Sequence, residues 1–175
     1  INVVSEPTEM TIGGKKMMLV PWICDENRDK TLDMINKSKA TYCMGHLELN
    51  GFSPVPGYTM THGDNPDIFK KFKLTCSGHY HMRSRRDRIV YLGNPYQLYW
   101  NDYGHDRGFH VLNTDDYQLE FVKNPYNTFS KLFYKDGVGI TDEEIESVKG
   151  TYVKLIVEDK KDQVDFDNTV RRLHK

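Results

Sequence analysis

Ala40-Thr41-Tyr42-Cys43-Met44-Gly45-His46 and Leu74-Thr75-Cys76-Ser77-Gly78-His79-Tyr80-His81 decide how this chain is read. Each begins as a short run typical of a strand covered on both faces, and each breaks at a Gly-His pair. In open α/β sheets, binding groups sit at the carboxyl ends of strands. Glycine lets the backbone turn sharply and approach a ligand closely, which leaves the imidazole at the rim of the sheet. In the second copy His81 stands two residues after His79, a spacing that in extended chain points both rings to one side. Three histidines at two equivalent strand ends favour a metal site made of His46, His79 and His81. A single histidine at such a place more often caps a strand end through hydrogen bonds. A zinc knot using both Cys-x-x-His pairs is a further alternative, since zinc accepts that donor set. Against it, residues i and i+3 of a strand face opposite sides. The three-histidine set lacks the bridging carboxylate that two-metal phosphoester chemistry needs.

Working outward, Ile1 to Ile23 reads as a β-hairpin, with Asn2-Val3-Val4 and Glu9 to Ile12 leading to Gly13-Gly14 and Lys16 to Val20 returning. Asp25 to Lys39 is predicted helical, with Leu32 and Ile35 on its apolar face. Asn50 to Pro66, rich in Gly, Pro and Asn, reads as a long exposed loop, followed by a short helix from Asp67 to Phe72. Arg88 to Leu92, Gly108 to Leu112 and Gln118 to Val122 are predicted strands. Asn124-Pro125-Tyr126-Asn127 is the expected boundary. Beyond it come a strand at Ser130 to Tyr134, a helix at Thr141 to Lys149 with a Thr141/Glu144 capping box, a strand at Tyr152 to Glu158, and a helix from Asp165 to His174 that reads as cut short. The fold class is α/β, with domains at 1–125 and 126–175.

The chain has 175 residues, of which 38% are hydrophobic and 28% charged, so it is not a disordered tail. Its apolar runs, such as Met17 to Val20, fall far short of the roughly 20 residues of a membrane-spanning helix, so no membrane partner is expected. With 24 basic and 25 acidic side chains, any affinity for nucleic acid must be local. Cys24, Cys43 and Cys76 are an odd number in apolar surroundings, which suits reduced thiols and a cytoplasmic setting, host cytoplasm if the source is viral. Ile1 stands where a methionine would open a gene product, so the chain reads as beginning in mid-fold.

Gly78-His79-Tyr80-His81 resembles the G-H-x-H signature of calcineurin-like metallophosphoesterases, and Gly45-His46-Leu47-Glu48-Leu49 resembles the single-histidine motif ahead of it. Tyr91 to Pro95 and Asp106 to Phe109 narrow the likeness to SbcD-type DNA exonucleases. Within these, Gly45 to Phe52 and Gly93 to Phe109 are most similar to the nuclease subunits of tailed-phage recombination endonucleases. The likeness covers most of residues 1–125 and fades in the last 50. It implies the C-terminal half of a metallophosphoesterase sandwich (α/β/β/α) followed by part of a small α+β capping domain. It also implies a manganese-dependent phosphodiesterase with two divalent metal ions, acting on DNA in double-strand-break repair and recombination. An SbcC-type coiled-coil ATPase and a second nuclease subunit are the implied partners. By position, His46 and His79 resemble ligands of one metal and His81 of the other. The family's D-x-H, G-D-x-x-D and G-N-H-D motifs, which hold the remaining ligands, are expected to be missing from this chain. The 175 residues alone are therefore expected to be inactive.

Around the histidines, Arg83, Arg85, Arg86 and Arg88 read either as a phosphate-binding loop that guides DNA or as a solvated hairpin turn. Tyr80, Tyr96, Tyr99, Trp100 and Tyr103 could stack on bases, although aromatics near strands are more often core. Glu48 is a candidate for orienting an imidazole, and His62 and Asn94 for the substrate side of the site. The basic end of the last helix, Arg171, Arg172, His174 and Lys175, suits the helix dipole or duplex contact. Two other readings stand beside the nuclease: a non-catalytic binding module on the same fold, and a metallophosphoesterase acting on small phosphate esters.

Overall fold

The computed structural model describes residues 3–174; Ile1, Asn2 and Lys175 lie outside the described residues. Two compact units result, one formed by the residues up to Pro95 with Asp106–Asn124, the other by Tyr96–His105 with the residues from Pro125 onward. The described helices include none long and apolar enough to cross a membrane.

In the first unit, β1 (Thr8–Ile12) and β2 (Lys15–Val20) form an antiparallel hairpin in which Ile12 faces Lys15. Gly13 and Gly14 turn it, both at positive φ (57° and 76°), the conformation a two-residue hairpin loop requires. Val3 and Val4, expected in the first strand, belong to none; pairing starts only at Thr8. The helix α1 (Arg28–Lys37) starts three residues later than expected, because Cys24 to Asn27 form a turn. Asn27 ties that turn down by accepting from the Cys24 amide at 3.0 Å and donating to the Trp22 carbonyl at 2.8 Å. The helix buries Thr31 and Ile35.

β3 (Tyr42–Gly45), β4 (Leu74–Ser77), β5 (Ser84–Arg86) and β6 (Ile89–Tyr91) complete a six-stranded sheet of order β1-β2-β3-β4-β6-β5. The four inner strands are mutually parallel, and β1 and β5 close the edges antiparallel. β2, β3, β4 and β6 therefore end along one margin, with Val20 beside Gly45 and Gly45 beside Ser77. That margin carries both Gly-His pairs.

The two sheet faces follow from strand alternation. Met18, Val20 and Cys43 point to the side of α1, where Ile35, Leu47, Leu49, Phe52, Phe69 and Tyr91 join them in one core. Met17, Tyr42, Leu74, Cys76 and Val90 point to the other side. There they meet Leu112 and Leu119 of an antiparallel ribbon, β7 (Gly108–Leu112) and β8 (Leu119–Lys123). Tyr42 donates to the Thr114 carbonyl at 2.7 Å and pins the turn of that ribbon.

The stretch 50–65 carries no strand or helix but closes on itself, with the Gly51 amide donating to the Met60 carbonyl at 2.7 Å and the Met60 amide to the Phe52 carbonyl at 2.8 Å. The helix expected at Asp67 to Phe72 is a single 3-10 turn, Pro66–Phe69, capped by the Asn65 carboxamide. Pro66 supplies the helical φ at its first position, and beyond Phe69 only a further turn continues, with the Phe72 amide donating to the Phe69 carbonyl at 3.1 Å.

The second unit runs β9 (Phe129–Lys135), α2 (Asp142–Ser147), β10 (Tyr152–Asp159) and α3 (Gln163–Leu173), with β9 and β10 parallel. Its core is Leu132, Tyr134, Ile140 and Val148, with Phe166 and Leu173 packed against it. Thr141 and Glu144 cap α2 reciprocally, at 3.1 and 2.8 Å. Residues 96–105 join this unit because the Gln97 side-chain oxygen accepts from the amides of Thr128 and Phe129, both at 2.9 Å.

Candidate functional site

The parallel register sets the candidate site. Since Gly45 pairs with Ser77, the next residues, His46 and Gly78, leave the sheet side by side, and the Gly78 amide donates to the Gly45 carbonyl at 3.2 Å. Gly45 has no room for a side chain: a Cβ there would lie 2.8 Å from the Val20 carbonyl oxygen and 2.9 Å from Leu47 Cδ2. Gly78 is not constrained in this way; the nearest atom to such a Cβ would be His46 Nδ1 at 3.9 Å.

His46 Nε2 and His79 Nδ1 stand 3.2 Å apart, with the rings nearly perpendicular at 80°. Two imidazole nitrogens sharing one ion at about 2.1 Å, at an angle of roughly 90–110°, lie about 3.0–3.4 Å apart, so this donor pair fits part of a metal's ligand set. Burial first, and the neighbouring His46 second, hold the His79 imidazole below the usual histidine pKa. At neutral pH His79 therefore keeps a nitrogen lone pair available.

His81 does not join them. The described residues contain no group of three or more His, Cys, Asp and Glu side chains placed to hold one ion. The chain from Gly78 to Arg83 leaves strand β4 and bends, so the extended geometry that would put His79 and His81 on one side does not apply. The cysteine alternative is corrected too. Cys43 and Cys76 are buried in the cores on opposite faces of the sheet, and burial pushes both thiols up, Cys76 to about 11. Neither is a ready thiolate ligand.

Glu48 lies 3.4 Å from His62 Nε2, while its own backbone carbonyl accepts from the Asp64 amide at 2.8 Å. Glu48 and Asp64 line a cavity of about 240 Å³ with Trp22, Ile23, Arg28 and Gly63. Asn94 is buried; its side-chain oxygen accepts from Arg107 at 2.7 Å, and Arg107 also donates to the His81 carbonyl. Asn94 thus supports the backbone of the His79 to His81 turn.

Across 134 residues, 77% of its length, the chain is 35% identical to exonuclease subunit 1 of Enterobacteria phage T4. The chain is a partial homologue of that phage subunit. It spans 39% of the subunit's length. No family model matches the chain.

Within this homologue of the phage subunit, the arginine stretch is not a loop. Ser84–Arg86 is the edge strand β5, hairpinned onto β6, with Asp87 at φ 54° in the turn. An isolated tripeptide of polar residues carries no strand signal; the pairing with Ile89 to Tyr91 creates it. The hairpin distributes the arginines to both faces. Arg83 stacks on Phe121, its Cζ 3.4 Å from the ring centre, while Arg86 lies 4.6 Å over Phe52 and donates to the Gly51 carbonyl at 3.1 Å. Tyr80 is core, stacked on Tyr91 at 4.5 Å with its hydroxyl on the Leu49 carbonyl. Tyr99 and Tyr96 are exposed, and Trp100 stacks on Phe129 at 4.7 Å.

Two residues and one motif were given no site role from the sequence. Trp22 packs over the histidine pair, its ring 4.9 Å from His79 and 5.9 Å from His46. Its place just beyond the end of β2, next to the strand that delivers His46, was the available signal. Arg107, quoted above only for the family likeness, stands directly before the strand at Gly108 and was given no role in the site. Gly63-Asp64-Asn65-Pro66-Asp67 spells G-D-x-x-D, behind His46 rather than ahead of it. There Asp64 is ion-paired with Arg28, and Asp67 with Lys70 at 2.8 Å.

Proposed function

We propose that this chain carries the histidine side of a two-metal phosphodiesterase centre in a DNA nuclease, on a calcineurin-like metallophosphoesterase sandwich with the start of a capping domain at 126–175. The observation that carries this reading is the 3.2 Å approach of His46 and His79 at the carboxyl ends of adjacent parallel strands. Likeness to a phage exonuclease subunit supports it.

In this reading His46 and His79 hold one divalent ion, probed most simply as manganese, and His81 serves the second. Divalent ions bound there would polarise the scissile phosphodiester and lower the pKa of the attacking water. The chain's own contribution is positional. The depressed pKa of His79 favours the neutral imidazole, and the Trp22 ring packs against both histidines. Arg107 and Asn94 fix the backbone that carries His81. The carboxylate ligands lie ahead of His46 in the complete protein, so the 175 residues do not turn over substrate alone. DNA is the substrate, an SbcC-type coiled-coil ATPase and a second nuclease subunit are the partners, and the work is done in the host cytoplasm.

A non-catalytic binding module is the second reading, favoured by the two-donor rather than three-donor cluster among the described residues. Manganese-dependent digestion of single- and double-stranded DNA by the complete protein separates them. His79→Ala is expected to lose at least about 100-fold in rate, more than a supporting residue costs. Equal, measurable rates in both proteins would end the ligand assignment, and no digestion by either would leave the binding module.

A further inference from the structure

We propose that the pocket between the β5–β6 hairpin and the β7–β8 ribbon binds the phosphate group of a nucleotide. The cavity measures about 320 Å³ and is lined by Arg83, Ser84, Arg85, Val90, His110 and Phe121, with Leu119 beside them. None of these side chains is a carboxylate. Two of the lining residues each carry a polar atom, Ser84 Oγ and His110 Nδ1, that is buried without a hydrogen-bond partner. A polar group removed from water without a partner is costly, and here two such groups belong to residues that line one cavity with two guanidinium side chains.

The hairpin arranges this set. Arg83 and Arg85, two residues apart, both reach the ribbon side, whereas Arg86 and Arg88 line a different cavity with Pro66 and Lys70. Arg83 is held by its 3.4 Å stack on Phe121, so its orientation is fixed before a ligand arrives. The carboxylate that feels Arg83, Asp106, is already matched by Lys123 at 2.7 Å.

Phosphate suits this donor set better than a carboxylate does. It offers three or more oxygens to two guanidinium forks, a hydroxyl and an imidazole, and guanidinium–phosphate contacts are among the strong charge-assisted ones. The volume exceeds that of bare phosphate, and Val90, Leu119 and Phe121 give the attached organic group an apolar wall. The phosphate could be that of a free nucleotide or of a DNA strand end, which present the same chemistry. The lining shares no residue with the His46–His79 pair, and the proposal does not rest on the nuclease reading.

Calorimetry on the 175-residue chain tests it, with deoxyadenosine 5′-monophosphate, deoxyadenosine and inorganic phosphate as probes. The monophosphate is expected to bind at least about tenfold tighter than the nucleoside. Arg85→Gln and Ser84→Ala should each weaken it about fivefold or more, and Ser84→Ala breaks no internal hydrogen bond, so its fold is retained. Arg88→Gln should leave binding unchanged. Displacement of the nucleotide by a 5′-phosphorylated oligonucleotide assigns the phosphate to a strand end, and no displacement assigns it to a free nucleotide; either supports the site. A monophosphate no tighter than the nucleoside, or a loss in Arg88→Gln equal to that in Arg85→Gln, would overturn it.

Discussion

Removing the Tyr91 hydroxyl should loosen the turn that presents His46 and Glu48. That hydroxyl donates to the Leu47 carbonyl at 2.8 Å and accepts from the Leu49 amide at 3.1 Å, in a side chain with 0% exposure. Ser77 makes a parallel staple: its hydroxyl accepts from the Leu47 amide at 2.9 Å and donates to the Leu47 carbonyl at 3.3 Å. Tyr91→Phe leaves the buried Leu49 amide unpaired, at about 1–3 kcal/mol, and removes one of two donors to the Leu47 carbonyl, at about 1 kcal/mol. We expect a loss of about 2–4 kcal/mol. Ser77→Ala leaves the Leu47 amide unpaired and should cost about 1–2 kcal/mol. In the double variant the Leu47 carbonyl loses both donors, so the combined loss should exceed the sum by about 1 kcal/mol. Urea unfolding followed by circular dichroism reads this directly; at a slope of about 2 kcal/mol/M, Tyr91→Phe moves the midpoint down by about 1–2 M. A Tyr91→Phe loss below about 0.3 kcal/mol, or additive losses in the double variant, would refute the staple.

Lowering pH should destabilise the fold through His79. Its folded pKa lies below that of the unfolded chain, so the unfolded chain binds more protons once pH falls below about 6.5. Stability is complete above that value and declines on acidification; His110, also held low by burial, contributes in the same direction. His79→Gln should therefore lose less stability than the parent between pH 7.5 and 5.5, as read by thermal unfolding, and identical pH slopes would contradict it. Gly108→Ala should cost more than about 3 kcal/mol in chemical denaturation, because its Cβ would overlap the Val122 carbonyl oxygen and meet the Phe121 ring at 2.9 Å. Thr141→Ala opens the capping box of α2 and should remove about 1 kcal/mol, seen as a lower unfolding midpoint of the second unit.

Strand ends were the most legible part of the molecule. Leu74-Thr75-Cys76-Ser77 matches β4 residue for residue, because a short run stopped by Gly78 leaves little choice of boundary. The approach of His46 to His79 was foreseeable once both Gly-His pairs were placed at the ends of strands. The backbone from Gly78 to Arg83 was not. Its bend depends on the anchoring of the His81 carbonyl by Arg107, 26 residues away, and no local pattern encodes that contact. A hairpin turn at the arginines was one of the two readings, but its strand was not legible, because Ser84 to Arg86 become a strand only through pairing with β6. Asn124 and Pro125 divide the two units, yet Tyr96–His105 crosses over, held through the Gln97 side chain rather than by any composition shift. Tyr80 shows the limit of reading an aromatic by neighbourhood, since its ring is committed to Tyr91.

The account stands or falls on His46 and His79 sharing one ion. Zinc titration of the 175-residue chain by calorimetry, repeated with His46→Ala and His79→Ala, measures this most directly, because an imidazole pair without carboxylates favours zinc over manganese. One zinc per chain is expected, with at least about a tenfold loss of affinity in either variant and none in Cys43→Ser. Binding unaffected by both histidine substitutions, or abolished by Cys43→Ser, would contradict the assignment.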